Sequence, residues 1–332
     1  MDTLVIRQQE VRRLLPIVDC IEVMADALAA LARGEAVQPL RSVHRLPGSA
    51  RLLGVMPGYL GPIDAAGAKV ISITGANHGT ELDTHQGAVL LFEGARGRLV
   101  AVVDATEVTA IRTAAVSGLA TRVLARDDAG CLALLGCGTQ ARTHLAAMAA
   151  VRRLRRVRVW SRDRQRAAAF AARAASEHGC DITAVASARE AVTGADLVCT
   201  ATASPSPVVE GAWLAPGAHI NAVGACVATA RELDGEAVAR ARLVVDRRES
   251  AMSEAGDVLI AREEGASGED HIAAELGEVL IGAREGRRAA DEITLFKSLG
   301  LAIEDIAAAQ LVYERARQQG AGTAIDLGGR RA

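Results

Sequence analysis

Three basic side chains interrupt apolar stretches in the first third of the chain. Lys69 lies in GAKVISI, Arg112 in VTAIRTAAVSG and Arg41 in QPLRSVH. An arginine offers a planar fork of donors to a carboxylate, and a lysine offers a point charge that can also give up a proton. Any single lysine in a strand is more often a solvated residue. The three together favour a site that binds a carboxylate.

A glycine-rich turn ends the apolar run in CLALLGCGTQARTH. Gly136, Gly138 and Ala141 fit the pattern G-x-G-x-x-G/A. Gly136 permits the tight turn, Gly138 lets a pyrophosphate approach the backbone, and Ala141 keeps helix and strand close. The helix that opens with Thr139 and Gln140 then offers free N–H groups to the anion. The pattern predicts dinucleotide binding; a purely structural turn is the alternative.

The tip of the next strand bears on which dinucleotide is bound. VRVW is followed by Ser161 and Arg162, and Asp163 comes one or two positions too late for the acidic residue of NAD-binding units. A hydroxyl and a guanidinium suit a 2′-phosphate. The sequence therefore favours NADP(H). NAD(H) stays possible, because Arg162 can also be a solvated residue at a helix start.

The residues described above lie in two regions whose sequence patterns differ. Residues 36–112 contain short apolar runs separated by Gly, Pro, Asn and Asp, which is typical of a mainly β region. Helical spacing of apolar residues predicts helices over 17–33, 113–125 and 298–318. From residue 131 onward strands alternate with helices. This rhythm indicates an α/β fold with a doubly wound parallel sheet.

Composition excludes several classes of protein. The chain has 332 residues, a net charge of −2 and mixed charge signs, which argues against nucleic acid or a membrane surface as a partner. The apolar runs are too short to span a bilayer. The six cysteines are scattered without a CxxC pair, so we expect a cytoplasmic protein with neither disulfides nor a zinc site. No His, Asp or Glu grouping has the spacing of metal ligands.

Ordered motifs along almost the whole chain resemble the ornithine cyclodeaminase/mu-crystallin family, and most closely its mu-crystallin (ketimine reductase) branch. The matching stretches are QPLRS at 38–42, LLGVMP at 52–57, THQGAVLLFE at 84–93, RTAAVSGLAT at 112–121, LLGCGTQA at 134–141, VWSR at 159–162, AHINAVGA at 218–225, RELD at 231–234, EAGDVL at 254–259, AELGEV at 274–279 and FKSLGLAIED at 296–305.

The resemblance implies a discontinuous domain organisation. Residues 1–114 and 298–320 would form an α+β domain that binds substrate and pairs two subunits in a homodimer. A Rossmann domain over 115–297 would be inserted between them, and 321–332 would be a C-terminal tail.

The resemblance also implies roles for particular residues. Arg41, Lys69 and Arg112 would surround the carboxylate of a small amino or imino acid, with Lys69 and Arg112 catalytic and Lys69 the acid at the imine nitrogen. His85 could face the substrate or simply bond to backbone. The cofactor would touch the phosphate loop and the 2′-phosphate position described above. It would also touch a nicotinamide region at Asn221, Val223, Gly224, Ser298 and Gly300.

Two departures separate the chain from the cyclodeaminases of this family. Those enzymes carry a Glu before the MP dipeptide and an Asp two residues after the Gly of NAVG, whereas this chain has Gly54 and Cys226. We therefore expect NAD(P)H-dependent reduction of a ketimine, or the reverse amino-acid dehydrogenase reaction. The alternatives are an ammonia-releasing ornithine or lysine cyclodeaminase with NAD+, and a non-catalytic, crystallin-like binding protein.

Overall fold

The structure, a computed structural model, describes residues 2–49, 51–77, 80–268 and 270–328. The chain forms two compact units, of which the first is built from two separate segments and the second from one continuous segment. The first unit contains residues 1–112 and 300–332, and the second contains residues 113–299.

Strands in the described residues are β1 (Thr3–Ile6), β2 (Ala36–Val37), β3 (Ser42–Arg45), β4 (Leu52–Leu60), β5 (Ala65–Ile73), β6 (His85–Glu93), β7 (Leu99–Asp104), β8 (Cys131–Leu135), β9 (Arg156–Trp160), β10 (Asp181–Ala184), β11 (Leu197–Thr200), β12 (His219–Ala222), β13 (Ala241–Val245), β14 (Ile272–Glu275), β15 (Ile293–Lys297) and β16 (Thr323–Ile325).

The α-helices there are α1 (Gln8–Leu14), α2 (Ile17–Ala32), α3 (Ala105–Leu124), α4 (Thr139–Val151), α5 (Arg164–His178), α6 (Ala188–Val192), α7 (Gly235–Arg240), α8 (Arg248–Glu254), α9 (Gly256–Glu263), α10 (Leu276–Leu280) and α11 (Ala302–Gln319).

The first unit is built on a mostly antiparallel sheet in the order β16-β1-β7-β6-β5-β4-β2, with β3 also paired to β4. Strands β4 to β7 form a meander, and alternate residues of β5 are buried on one face. Helix α11 packs against β4, β5 and α2. Most of its apolar residues are buried, and Ile303 and Ile306 are fully buried. The last long helix of the chain therefore covers a sheet made near its beginning.

The second unit contains a parallel sheet in the order β10-β9-β8-β11-β12-β15-β13-β14. Its core consists mainly of Val, Leu and Ala side chains. The order runs outward in opposite directions from β8 and β11, as in doubly wound nucleotide-binding folds. This confirms the predicted α/β fold class with a doubly wound parallel sheet.

Several predicted boundaries differ from those in the structure. Helix α3 begins at Ala105 instead of 113, because the Asp104 carboxylate accepts the Glu107 N–H, 2.8 Å away, and caps a turn whose β-branched residues resemble a strand. Helix α11 begins at Ala302 instead of 298. The segment predicted as a tail contains β16, which pairs with β1, and residues 329–332 lie outside the described residues. Within the described chain, no helix is both long and apolar enough to cross a membrane.

Candidate active site

Lys69 is a buried cation in the middle of the first unit's sheet. It lies on β5 opposite Met56 of β4 and Val89 of β6, and its side chain is 2% exposed. The ammonium Nζ lies 2.8 Å from Asp305 Oδ2 and donates to Thr109 Oγ1 at 3.4 Å. Lys69 is therefore not a solvated strand residue.

Burial lowers the pKa of Lys69 from 10.5 to about 8. Desolvation is the largest cause, the Asp305 carboxylate opposes it, and the positive charges of Arg112 and Arg41 add to the lowering. The like-charge repulsion expected from the sequence is thus present but is the smaller contribution. A lysine with this pKa is mostly protonated at neutral pH and releases its proton readily.

Arg112 is tied to two carboxylates of α11. Its Nε donates to Asp305 Oδ1 and its Nη1 donates to Glu304 Oε2, both at 2.9 Å, and the side chain is 4% exposed. Burial alone would raise the pKa of Asp305, but Arg112 and Lys69 together lower it. The Asp305 carboxylate therefore bridges both predicted catalytic cations and fixes the orientation of each.

Arg41 converges on the same place through Gly300. Its Nη2 donates to the Gly300 carbonyl at 3.3 Å. Gly300 has a φ of +83°, and a Cβ there would overlap the guanidinium of Arg112. A glycine is required at this position both by its backbone conformation and by the close approach of Arg112. The three cations predicted from the sequence are therefore neighbours in the structure.

His85 opens β6 and shares a sheet face with Lys69. Because side chains alternate along a strand, His85, Gly87 and Val89 lie on one face, and Val89 pairs with Lys69. The imidazole is exposed, and its Nδ1 lies 3.0 Å from Thr84 Oγ1. Desolvation, followed by the charges of Lys69 and Arg112, lowers the pKa of His85. The neutral imidazole is therefore favoured near this face.

Sequence reasoning missed Glu304 and Asp305 as members of this cluster. Their signal is visible afterwards: two adjacent acids in the first turn of LAIEDIAAA, a segment that is otherwise apolar. Both side chains are almost fully buried. Isolated buried carboxylates are costly, so they predict a cationic partner.

The phosphate loop of the second unit has the geometry that its glycines predict. Gly136 has a φ of +120°, and a Cβ there would lie 2.5 Å from the Ala201 carbonyl. Gly138 is the N-cap of α4, and a Cβ there would meet no atom within 4 Å, so the space before the helix is open. Thr139 and Gln140 begin the helix, and Ala141 is fully buried against the sheet. An open cradle at a helix N-terminus fits a pyrophosphate.

Ser161 and Arg162 follow β9 directly, as predicted. Ser161 is half-buried and Arg162 is exposed. Asp163 is the N-cap of α5, and its Oδ1 accepts the Arg166 N–H at 3.0 Å. The nearest carboxylate at this strand tip therefore has a capping role.

The residues predicted near a nicotinamide gather, except for Gly300, at the carboxyl ends of β12 and β15. Asn221 is buried, and its amide donates to Thr121 Oγ1 at 2.9 Å. Val223 N–H donates to the Thr200 carbonyl, and Ser298 N–H donates to the Ala222 carbonyl, both at 3.0 Å. This edge of a parallel sheet is where such folds bind ligands. Gly300 instead belongs to the first unit, beside Arg41 and Arg112.

Comparison with known proteins identifies the family of the chain. The sequence model of the ornithine cyclodeaminase/mu-crystallin family matches residues 1–320. The chain belongs to this family. It is 42% identical over 291 residues to ketimine reductase mu-crystallin of Mus musculus, covering 87% of this chain and 89% of the relative.

Solved structures of family members superpose on the whole chain. The Δ1-pyrroline-2-carboxylate reductase of Thermococcus litoralis, solved with NADH and L-proline, is 38% identical with a TM-score of 0.95, covering 97% of this chain and 100% of its own. An archaeal alanine dehydrogenase dimer with bound NAD is 33% identical with a TM-score of 0.93, covering 99% and 100%.

The two departures from the family's cyclodeaminases occupy defined places. A Cβ at Gly54 would lie 3.3 Å from Cγ1 of Ile71, so an apolar side chain borders the position where a cyclodeaminase has Glu. Cys226 donates from Sγ to the Val223 carbonyl at 3.3 Å. Within the described ranges, no group of His, Cys, Asp and Glu side chains could hold a metal ion.

Proposed function

We propose that this protein is a nicotinamide-dependent reductase of cyclic or linear ketimine carboxylates, such as Δ1-pyrroline-2-carboxylate or Δ1-piperideine-2-carboxylate. The product is the L-amino acid, and the reverse direction is an amino-acid dehydrogenase reaction. The observation that carries the proposal is the buried Lys69, which lies 2.8 Å from Asp305 in the cluster with Arg112 and Arg41 and whose pKa is lowered to about 8, chiefly by burial.

The charge balance of this cluster suits an anionic substrate. Lys69, Arg41 and Arg112 bring three positive charges, and Glu304 and Asp305 bring two negative charges, which leaves a formal charge of +1. One carboxylate neutralises that excess. The arginines hold the carboxylate, and this fixes which face of the imine is presented.

Lys69 supplies the proton. An iminium accepts a hydride far better than a neutral imine, so an acid positioned at the nitrogen raises the rate. The lowered pKa of Lys69 makes its ammonium a suitable donor near neutral pH. Asp305 keeps the Lys69 side chain in place and favours its protonated form despite its burial.

The open cradle at Gly138 and the N-terminus of α4 support binding of a dinucleotide by Gly136, Gly138 and the first turn of the helix. The reduced nicotinamide, when bound, supplies the hydride. NADP(H) is the preferred form, because Ser161 and Arg162 stand at the strand tip and Asp163 caps α5. NAD(H) is accepted more weakly.

We also propose a cytoplasmic homodimer that pairs through the first unit. The archaeal relative with bound NAD is a dimer. Val37, Val43 and Leu53, on adjoining strands at one end of the first unit's sheet, are exposed apolar residues that a partner subunit would cover.

The test separates this function from its alternatives. The purified protein is mixed with NADPH or NADH and a panel of cyclic and linear imino acids, and nicotinamide absorbance is followed. A parallel reaction contains NAD+ and ornithine or lysine without reductant, with assay of ammonia. We expect imine-dependent oxidation of NADPH and negligible ammonia, since Gly54 and Cys226 provide neither carboxylate. Steady ammonia release would support the lyase. Cofactor binding without either reaction would support a binding protein.

A further inference from the structure

Three charged residues of the second unit have no role in the mechanism above, yet they contact one another or the same short segment. RELD contributes Glu232, EAGDVL contributes Asp257 and FKSLG contributes Lys297. All three side chains are fully buried. They lie beside the carboxyl ends of the central strands of the parallel sheet.

Glu232 ties two neighbouring strand ends together. Its Oε1 accepts the Thr202 N–H at 2.7 Å and the Thr202 hydroxyl at 2.6 Å. Its Oε2 accepts the Gly224 N–H and the Thr200 hydroxyl, both at 2.7 Å. One carboxylate therefore fixes the main chain that leaves β11 and the main chain that leaves β12.

Asp257 and Lys297 support the main chain that carries Glu232. Asp257 Oδ1 accepts the N–H groups of Glu232 and Leu233 at 2.7 and 2.9 Å. Its Oδ2 lies 2.8 Å from Lys297 Nζ at the end of β15. Burial is the largest single influence and alone would lower the pKa of Lys297, but the charge and hydrogen bond of Asp257, with the charges of Cys226 and Glu232, together raise it. The network thus fixes the backbone of the segment that presents Glu232.

The free-energy cost of burying these three charged side chains points to a function beyond stability. Buried ion pairs contribute little net stability compared with apolar side chains of similar volume, because desolvation offsets their attraction. Here two carboxylates and one ammonium are buried together, and four donors converge on Glu232. Such a network fixes the position of a main-chain segment more closely than apolar packing does.

We propose that Glu232, supported by Asp257 and Lys297, is a positioning residue that shapes the nicotinamide end of the cofactor site through the main chain at Thr202 and Gly224. The carboxyl edge of β11 and β12 is where a doubly wound sheet receives the far end of its dinucleotide. This inference rests on the proposed binding of a nicotinamide cofactor, but it does not depend on which imino acid is reduced.

The test is a binding experiment on Glu232→Gln with two probes, NADPH and 2′-phospho-ADP-ribose, which lacks the nicotinamide. An amide cannot accept on both of its ends, so either the Thr202 N–H or the Gly224 N–H loses its acceptor. Titration calorimetry should show NADPH binding weakened by roughly tenfold or more and 2′-phospho-ADP-ribose binding unchanged within roughly twofold. Emission of bound NADPH should change as well.

Asp196→Asn is the matched control. At the amino ends of the same parallel strands, directly before β11, Asp196 Oδ2 accepts the N–H groups of Gly130 and Cys131 at 3.0 and 2.9 Å. Its substitution should lower the melting temperature and should affect the binding of NADPH and of 2′-phospho-ADP-ribose equally. Equal weakening of both probes by Glu232→Gln would overturn the proposal, and so would no weakening of either.

Two further arms keep the result interpretable. If Glu232→Gln does not fold, Glu232→Asp keeps the charge but shortens the side chain by one methylene, so its carboxylate cannot reach both the Thr202 and the Gly224 N–H groups; it must weaken NADPH binding selectively, or the proposal fails. A wild-type protein that binds neither NADPH nor NADH would instead refute the proposed function.

Discussion

Removing the charge of Asp305 should move the pH dependence of imine reduction. In Asp305→Asn the carboxylate 2.8 Å from Lys69 Nζ becomes a neutral amide, while Arg112 and Arg41 still repel the ammonium. Burial then acts on Lys69 without the opposing charge of Asp305, so the pKa of Lys69 falls below its present value of about 8. Lys69 would lose its proton at a lower pH.

The size of the change follows from the geometry. Two unit charges about 4 Å apart interact by about 4 kcal/mol at an effective dielectric constant of about 20, and about 1.36 kcal/mol corresponds to one pH unit. Asp305 shares its charge with Arg112, so only part of this energy is lost from Lys69. An opposite charge at this distance changes a pKa by about one to three, and we expect a displacement of that size.

The assay is the steady-state rate of NADPH oxidation with a cyclic imino acid from pH 5 to 10. Lys69 acts as an acid, so the wild-type rate should be level at low pH and fall as pH rises through about 8. In Asp305→Asn the fall should begin about one to three pH units lower. An unchanged descending limb would show that Lys69 is not the titrating acid.

Two measurements guard against misreading this result. Glu304→Gln is the matched control, because the Glu304 carboxylate pairs with Arg112 at 2.9 Å; the substitution should raise KM and leave the descending limb of the pH profile in place. The melting temperature of Asp305→Asn should rise with pH. The unfolded chain keeps the Lys69 proton up to about 10.5 and the folded chain releases it earlier, so the unfolded state binds more protons in that window and stability rises.

Three other outcomes are expected. Lys69→Met should lower turnover by roughly 10²–10⁴-fold and raise KM, and Lys69→Arg should recover some binding but little turnover, since a guanidinium stays protonated; near-normal turnover of Lys69→Arg would reduce Lys69 to an electrostatic anchor. Arg162→Ala should raise the KM for NADPH by roughly tenfold or more by losing a charge-assisted phosphate contact, with NADH nearly unchanged; equal effects on both cofactors would contradict the NADPH preference. Light scattering should give a dimer at micromolar concentration, and a monomer would contradict the pairing proposed for the first unit.

The features that the sequence predicted are those set by local rules. A buried strand, a Gly-x-Gly turn and an Ala-rich helix are encoded within about fifteen residues, so β8, Gly136 and α4 could be placed before the fold was known. Asp234 is another local case: aspartate is a favoured N-cap residue, and Asp234 is the N-cap of α7 and accepts the Ala237 N–H at 2.8 Å. The predicted start of α3 was wrong because Val108, Thr109 and Ile111 favour strands, whereas in the fold Asp104 caps this turn and the helix buries Val108 and Ile111.

The features that could not be predicted depend on partners far along the chain. Asp305 and Arg112 are 193 residues apart, and no local pattern specifies their contact. The same holds for Glu232, whose carboxylate accepts hydrogen bonds from Thr200 and Thr202, 32 and 30 residues away in the chain. In each case the motif could be recognised in the sequence, but the residues that contact its charged side chain are brought there by the topology of the fold.

The long separation of these partners has a consequence for how the site forms. Lys69 and Arg112 belong to the first part of the chain, and their counter-charges arrive on α11, after the whole second unit has been made. Until α11 packs on β4 and β5, burying these two cations would cost several kcal/mol because nothing offsets their desolvation. Docking of α11 therefore neutralises the cations and completes the first unit's core in one step. A protein assembled without α11 would lack both the pairing of Lys69 and the apolar cover of its sheet, so catalytic competence and folding of the first unit are gained together.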